Sequence, residues 1–224
     1  MKRRFLGKIL SNIFILAGVV LLASSLGPFV VDEAWYLLKE IKNQKYTVSP
    51  EPKEVVIPDS VFARFLSTKD VKIEPINRDF SLVIEKIGLN APIVANVAVG
   101  DQVAYVKALQ SGIAHASVSA YPSKESGNVY LFAHASLNFW QLGKYASVFN
   151  LLRKLEAGDR IYIFYNGAKY VYEVVNKETM QGWDMFPLQR PVLEPILTLQ
   201  TCDPPGTTLN RLVVTAKLLE VTSN

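Results

Sequence analysis

Residues Ile9 to Val31 form a run of 23 side chains without one ionisable group. A segment of that kind has few structural options. Away from water its backbone N–H and C=O groups must bond to one another, which selects a helix, and at about 1.5 Å per residue the helix reaches roughly 34 Å, enough to cross a bilayer. Lys2, Arg3, Arg4 and Lys8 precede the run, and Asp32 and Glu33 follow it. The positive-inside rule then predicts a single-pass protein of the cell membrane, its N-terminus cytoplasmic and everything after Val31 extracytoplasmic. Trp35 and Tyr36 stand where an interfacial aromatic anchor would. The rival is a cleaved secretory signal, whose apolar region usually spans about 7–15 residues before a small-residue site such as Ala23, Ser24 and Ser25 could supply. Both readings export the body.

The charge follows the same division. Lys+Arg number 24 against Asp+Glu 20, and the four bases of the tail account for the whole excess. The body is therefore charge-balanced, with no basic surplus for a nucleic-acid face, and nucleic acid is excluded as a partner. A hydrophobic share of 50% against 20% charged also excludes a disordered chain. Four segments follow: residues 1–8 as a basic cytoplasmic tail, 9–31 as the transmembrane helix, 32–79 as a juxtamembrane helix and linker, and 80–224 as a folded domain. In the linker, helix continues to about Ile41. Pro50, Pro52 and Pro58 then make Gln44 to Pro58 read as an extended spacer. Asp59 to Ser67 is a short helix by its cap and apolar spacing.

From Phe80 the texture changes to short β-rich segments broken by Gly, Pro and Asn: Ser81 to Ile87, Asn128 to Phe132, Arg160 to Tyr165, Lys169 to Asn176, Ile196 to Thr201 and Arg211 to Val221. The clearest hairpin turns at Asn166-Gly167, which offers the positive φ values of a type I′ turn. One helix is predicted over Tyr145 to Leu155, from Val148, Leu151, Leu152 and Leu155 at helical spacing with Gly158 as its stop. A mostly β domain of many short strands hides its edges best as a closed or nearly closed barrel.

The chemistry rests on three rare side chains. The sequence has one cysteine, Cys202, and two histidines, His115 and His134. A lone exported thiol is shielded, paired between molecules, or kept for its reactivity. His134 and Cys202 each stand at the end of a strand-like run. Alternation along the second run puts Leu197, Leu199 and Thr201 on a core face and Thr198, Gln200 and Cys202 on a groove face. If that run pairs with the one opened by Arg211 through the breaker-rich loop between them, thiol and guanidinium become neighbours. A nearby cation raises the thiolate fraction, and an arginine can hold the oxyanion formed when a thiolate attacks a carbonyl. The combination points to acyl transfer through a thioester. Spacing alone leaves three plainer readings open: a small buried residue for Cys202, a strand-edge base for Arg211, and a hydrogen-bonded strand-end histidine for His134.

The motif TLQTC at Thr198 to Cys202, with RLVV at Arg211 to Val214, resembles the signature of the sortases, membrane-anchored cysteine transpeptidases of bacterial surfaces. FSLVIEKIGLNAPIV, ALQSGIAHAS, GNVYLFAHAS and LEAGDRIYIFYNGAKYVYEV are similar to other segments of that family, and the likeness runs from about Phe80 to Val221. It implies a closed β-barrel of about eight strands with short helices. It also implies Cys202 as nucleophile, His134 as general acid and base, and Arg211 as oxyanion and substrate-positioning group. The resemblance also implies Thr201 as a residue that orients the site, and His115 as a supporting histidine at most, with a structural role the stronger reading. The implied partners are secreted proteins bearing a C-terminal sorting motif, an amine acceptor from the cell wall or another protein, and the membrane. The implied reaction requires no metal or organic cofactor, though bound calcium is known in some members.

Two departures stand out. Ala133 occupies the place before the histidine where Gly is common, and Ala135 follows where a polar residue is common. Residues Gln44 to Asp79 hold no Asp-Pro-aromatic lid of the pilus-polymerising kind, which favours a housekeeping-like or class D/E-like, protein-anchoring member. The competing enzyme is a peptidoglycan L,D-transpeptidase, which places a histidine close before its cysteine; none lies near Cys202. The non-enzymatic alternative is a membrane-tethered β-barrel that binds peptides by strand pairing.

Overall fold

The computed structural model describes residues 2–48, 71–98, 100–135, 145 and 147–223. Helix α1 (Lys2–Ile41) runs for 40 residues. It is bent by 50° between Leu10–Ser24 and Phe29–Ile41; no single helical segment among the described residues is long and apolar enough to cross a membrane, and the bent pair matches a span in length and composition only. Gly27-Pro28 stands in the bend, and a proline has no N–H to give to the preceding turn. The side chains of Phe14, Leu16, Leu21 and Leu22 are exposed.

Strands β1 (Tyr46–Val48) and β2 (Val71–Ile73) pair in parallel as a separate two-stranded sheet. Val48 and Ile73 pack against the barrel's Val83, Tyr162, Phe164 and Val171. The first part of the expected spacer is therefore docked rather than free, because it has an apolar patch on the barrel to cover. The helix expected over Asp59 to Ser67 lies outside the described residues.

Eight strands close the barrel: β3 (Phe80–Ile84), β4 (Leu89–Val97), β5 (Ile113–Ala116), β6 (Gly127–Phe132), β7 (Arg160–Tyr165), β8 (Ala168–Gln181), β9 (Pro195–Asp203) and β10 (Asn210–Thr222), in the spatial order β10-β8-β7-β3-β4-β5-β6-β9. Closure removes every edge from this sheet. Inward residues such as Leu82, Ile84, Ile113, Leu131, Ile163, Leu197 and Val214 are fully buried and form the core. Asn166 and Gly167 both adopt positive φ, 48° and 79°, so the β7–β8 hairpin turns where its dipeptide requires. Two contacts are parallel, β4 with β5 and β6 with β9. The first is bridged by α2 (Gln102–Ser111), capped by Asp101, whose carboxylate accepts from the N–H groups of Val103 and Ala104 at 3.0 Å each.

The helix expected over Tyr145 to Leu155 does not form. The described part of this stretch is a chain of turns ending in a 3-10 turn at Leu152–Lys154. Its bonds run three residues back, as from Val148 to Tyr145, Asn150 to Ser147 and Leu155 to Leu152. Tertiary bonds explain the departure. The N–H of Phe149 donates to the carbonyl of His134, and Lys177 Nζ occupies the carbonyls of Arg153 and Leu155, so the groups that would close α-helical rings are engaged elsewhere.

The second half of α1 lies against this stretch. Asn150 donates to Asp32 at 3.0 Å, Glu33 accepts from Arg153 and lies 3.0 Å from Lys154, and the Lys39 ammonium donates to the Lys86 carbonyl. Arg153 also sits over the Phe29 ring and Lys154 over that of Tyr36, at 4.7 and 5.1 Å. Helix and barrel thus meet through charged groups with half-buried partners.

Candidate active site

Strand β9 lies between β6 and β10. On its antiparallel side Cys202 stands directly opposite Arg211, so both side chains leave the same face of the sheet. On its parallel side Phe132 is in register with Gln200, and the next bond, from Ala133 N–H to the Gln200 carbonyl at 3.2 Å, carries the alignment one residue further. His134 therefore leaves the end of β6 beside the end of β9 that carries Cys202. Neighbouring strands lie about 4.8 Å apart. Three adjacent strands deliver imidazole, thiol and guanidinium to one end of the barrel, with the thiol in the middle.

The junction is pinned. Thr201, only 4% exposed, donates its hydroxyl to the Ala133 carbonyl at 2.8 Å, and the Gly206 N–H bonds the Ala135 carbonyl at 2.7 Å. Ala133 itself is buried, and it keeps negative φ, a conformation any residue can hold. The methyl that departs from the family's glycine thus sits on ordinary backbone.

Cys202, Arg211, Thr201 and Ala133 open onto a cleft of about 270 Å³. Its far wall is the β8–β9 connection, where Gly182, Asp184, Met185 and Leu188 face it, the last from the short helix α3 (Phe186–Gln189). Gly182 is required by close approach. A Cβ there would come within 2.5 Å of the Thr208 carbonyl and 3.3 Å of Arg211 Nη1. Its N–H bonds the Leu209 carbonyl at 3.1 Å, tying this wall to the loop that leads into Arg211.

Burial lowers the pKa of His134, and its Nε2 is buried with no hydrogen-bond partner among the described residues. The imidazole is thus biased toward its neutral, proton-accepting form. Arg211 donates to the carbonyls of Thr208 and Asn210 at 3.3 and 3.1 Å and has no carboxylate in ion-pair range among the described residues, leaving its charge available to the cleft. Tyr130 donates its hydroxyl to Gln200, and burial pushes its phenol well above the ordinary range. One groove-face reading fails. Thr198 is fully buried, donating to Asn128 at 2.8 Å and accepting from Arg190 at 3.2 Å, because the α3 connection folds over this part of β9.

His115 stands apart from the cleft. It is fully buried on β5, its Nε2 lies 3.0 Å from both the Ala120 carbonyl and the Ser119 hydroxyl, and its Nδ1 accepts from the Asn96 N–H at 3.4 Å. Burial lowers its pKa, opposed by the Ala120 bond.

Sequence reasoning missed Tyr105. It projects from α2 into the cleft, stacks on Phe132 with ring centroids 5.3 Å apart, and stands edge-on to His134 at 6.0 Å and 81°. Its signal was the capping aspartate at 101 and the glycine at 112, which bound a helix that the apolar spacing alone does not announce.

A family model described as Sortase domain matches residues 82–219, from within β3 to within β10. The chain belongs to the sortase family. Sortases of similar fold include sortase C-1 of Actinomyces oris, 25% identical, covering 65% of this chain and 76% of that one with a TM-score of 0.53. Sortase E1 of Streptomyces coelicolor, solved with a tripeptide in its active site, is 21% identical over 65% of this chain and 90% of its own, TM-score 0.51. Sortase A of Listeria monocytogenes is 19% identical over 65% and 89%, TM-score 0.52. These sortases span three classes, so the fold alone selects none of them. No curated protein sequence matches the chain.

Proposed function

We propose that this sortase is a membrane-anchored cysteine transpeptidase that cleaves a C-terminal sorting motif of exported proteins and transfers the acyl group to an amine. The observation that carries the reading is the placement of Cys202 between the strands that deliver His134 and Arg211, on a cleft of about 270 Å³ that Cys202 and Arg211 line. His134 accepts the thiol proton. The Cys202 sulfur then attacks the scissile carbonyl, and the charge that develops on its oxygen is met by Arg211. As the tetrahedral species collapses, the C–N bond breaks, the imidazolium gives its proton to the departing amine, and a thioester remains. An incoming amine of the cell wall or of another protein attacks the thioester, loses its proton to the imidazole, and leaves an amide bond and the free thiol. The atoms balance without a cofactor.

The exposed apolar side chains of Leu10–Ser24 and the four bases before them support a span whose N-terminus is cytoplasmic and whose barrel is extracytoplasmic. The absence of a lid motif in Gln44 to Asp79 supports protein anchoring over pilin assembly. The test is an intact-mass search with the full-length protein and a library of C-terminal peptides. Because the chain has one cysteine, a thioester adduct can form only at Cys202. Adduct formation that persists in Cys202→Ala, or no adduct with any peptide, defeats the proposal.

A further inference from the structure

We propose that Tyr105 is a positioning residue of this site: its ring, seated between Phe132 and His134, sets the orientation of the imidazole toward the Cys202 thiol. The statement rests on the function proposed above and adds a residue to it. Three observations converge. Phe132 is the last residue of β6, and the loop leading to His134 follows directly, so the ring stacked on Phe132 is held by the strand that delivers the histidine. The edge-on contact with His134, 6.0 Å between centroids at 81°, is a preferred aromatic geometry and resists rotation of the imidazole. The His134 ring also has no hydrogen bond from its buried Nε2 among the described residues, and its backbone is tied through its carbonyl to Phe149, so among the described contacts it is ring packing that orients it.

The support for Tyr105 itself is rigid. It lies in the first turn of α2, where its N–H bonds the Asp101 carbonyl at 2.9 Å, and Asp101 also caps the helix with its side chain. The phenol shares the cleft with Tyr130, Asp184, Cys202 and Arg211. Burial raises its pKa, a charge on Cys202 raises it further, and Arg211 lowers it, which places the hydroxyl within the field of both groups.

The test needs no sorting peptide. The rate of iodoacetamide alkylation of Cys202 is followed by intact mass from pH 5.5 to 10 in the full-length protein, in Tyr105→Leu, Tyr105→Phe and His134→Ala. A thiol assisted by a well-placed imidazole reacts faster below its own ionisation range and gains nothing above it. Tyr105→Leu is expected to react on the order of tenfold more slowly near pH 7, following His134→Ala, and to converge with the parent above pH 9.5. Tyr105→Phe, which keeps the ring, is expected to restore the rate to within about threefold. If Tyr105→Leu does not fold, Tyr105→Met, an unbranched apolar side chain without the ring, takes its place. Leu matching the parent at every pH overturns the proposal. So does a loss that is equal at all pH values, which reports access, or a Phe variant as slow as Leu, which reports the hydroxyl. Failure to find any peptide adduct would leave this profile readable, so the two proposals fail separately.

Discussion

Replacing Thr201 with valine removes one hydrogen bond at the junction between the strand carrying Cys202 and the loop carrying His134. The side chains are nearly isosteric, so volume is kept. What is lost is the hydroxyl that reaches the Ala133 carbonyl at 2.8 Å, at a site only 4% exposed. Water cannot readily replace that donor, so the carbonyl bears its desolvation cost, about 1–3 kcal/mol. For a domain of this size that is a fall in melting temperature of roughly 3–10 °C. The Thr201→Ser variant keeps the bond and gives up one methyl, about 0.8 kcal/mol. Scanning fluorimetry of the full-length protein in detergent would therefore rank parent, then serine, then valine. Because the bond fixes the residue before His134, valine is also expected to slow Cys202 alkylation near neutral pH more than serine does. A valine variant as stable as the parent, or serine less stable than valine, would refute the reasoning.

Three further outcomes are expected. Gly182→Ala must displace the Thr208 carbonyl, 2.5 Å from the new methyl, at a cost of about 1–3 kcal/mol, and should lower peptide-adduct formation by moving Arg211; an unchanged melting temperature and rate would show that the loop yields freely. His115 and His134 both have folded-state pKa values below the ordinary 6.5, so the unfolded chain takes up protons first and stability falls as pH drops below about 6.5. The melting temperature should thus be lower at pH 5.5 than at 7.5, and the reverse order would contradict the burial of the two rings. Glu33→Gln weakens a half-buried contact with Arg153 and Lys154, worth about 1 kcal/mol. Trypsin should then cut between Lys39 and Lys45 a few-fold faster, and an unchanged rate would mean that the helix is held by other contacts.

The strands were legible because they are local. Alternation along Arg160 to Tyr165, a turn dipeptide at Asn166-Gly167 and the run before Cys202 each announce themselves within a few residues. The antiparallel meeting of Cys202 and Arg211 was legible too, since one short loop joins their strands. The apolar stretch of Tyr145 to Leu155 misled, because its spacing is helical while its backbone donors and acceptors are engaged by His134 and Lys177. Residues 102–111 stayed silent, their apolar positions being scattered between two faces, and with them went Tyr105.

What the sequence determined alone is the kind of chain this is: an apolar, base-flanked helix ahead of a charge-balanced β-rich body whose one thiol stands nine residues before an arginine at the start of a strand. Those features are local in composition and spacing, and no folding is needed to read them. Only the tertiary structure decided that β6 lies parallel to β9, bringing His134 beside a cysteine 68 residues later, and that α2 and the Gly182 loop close the cleft around them. Parallel pairing between strands separated by a hairpin and two crossovers leaves no local trace. It is set by barrel closure, in which every strand edge must find a partner and β6 and β9 are neighbours in the closed order.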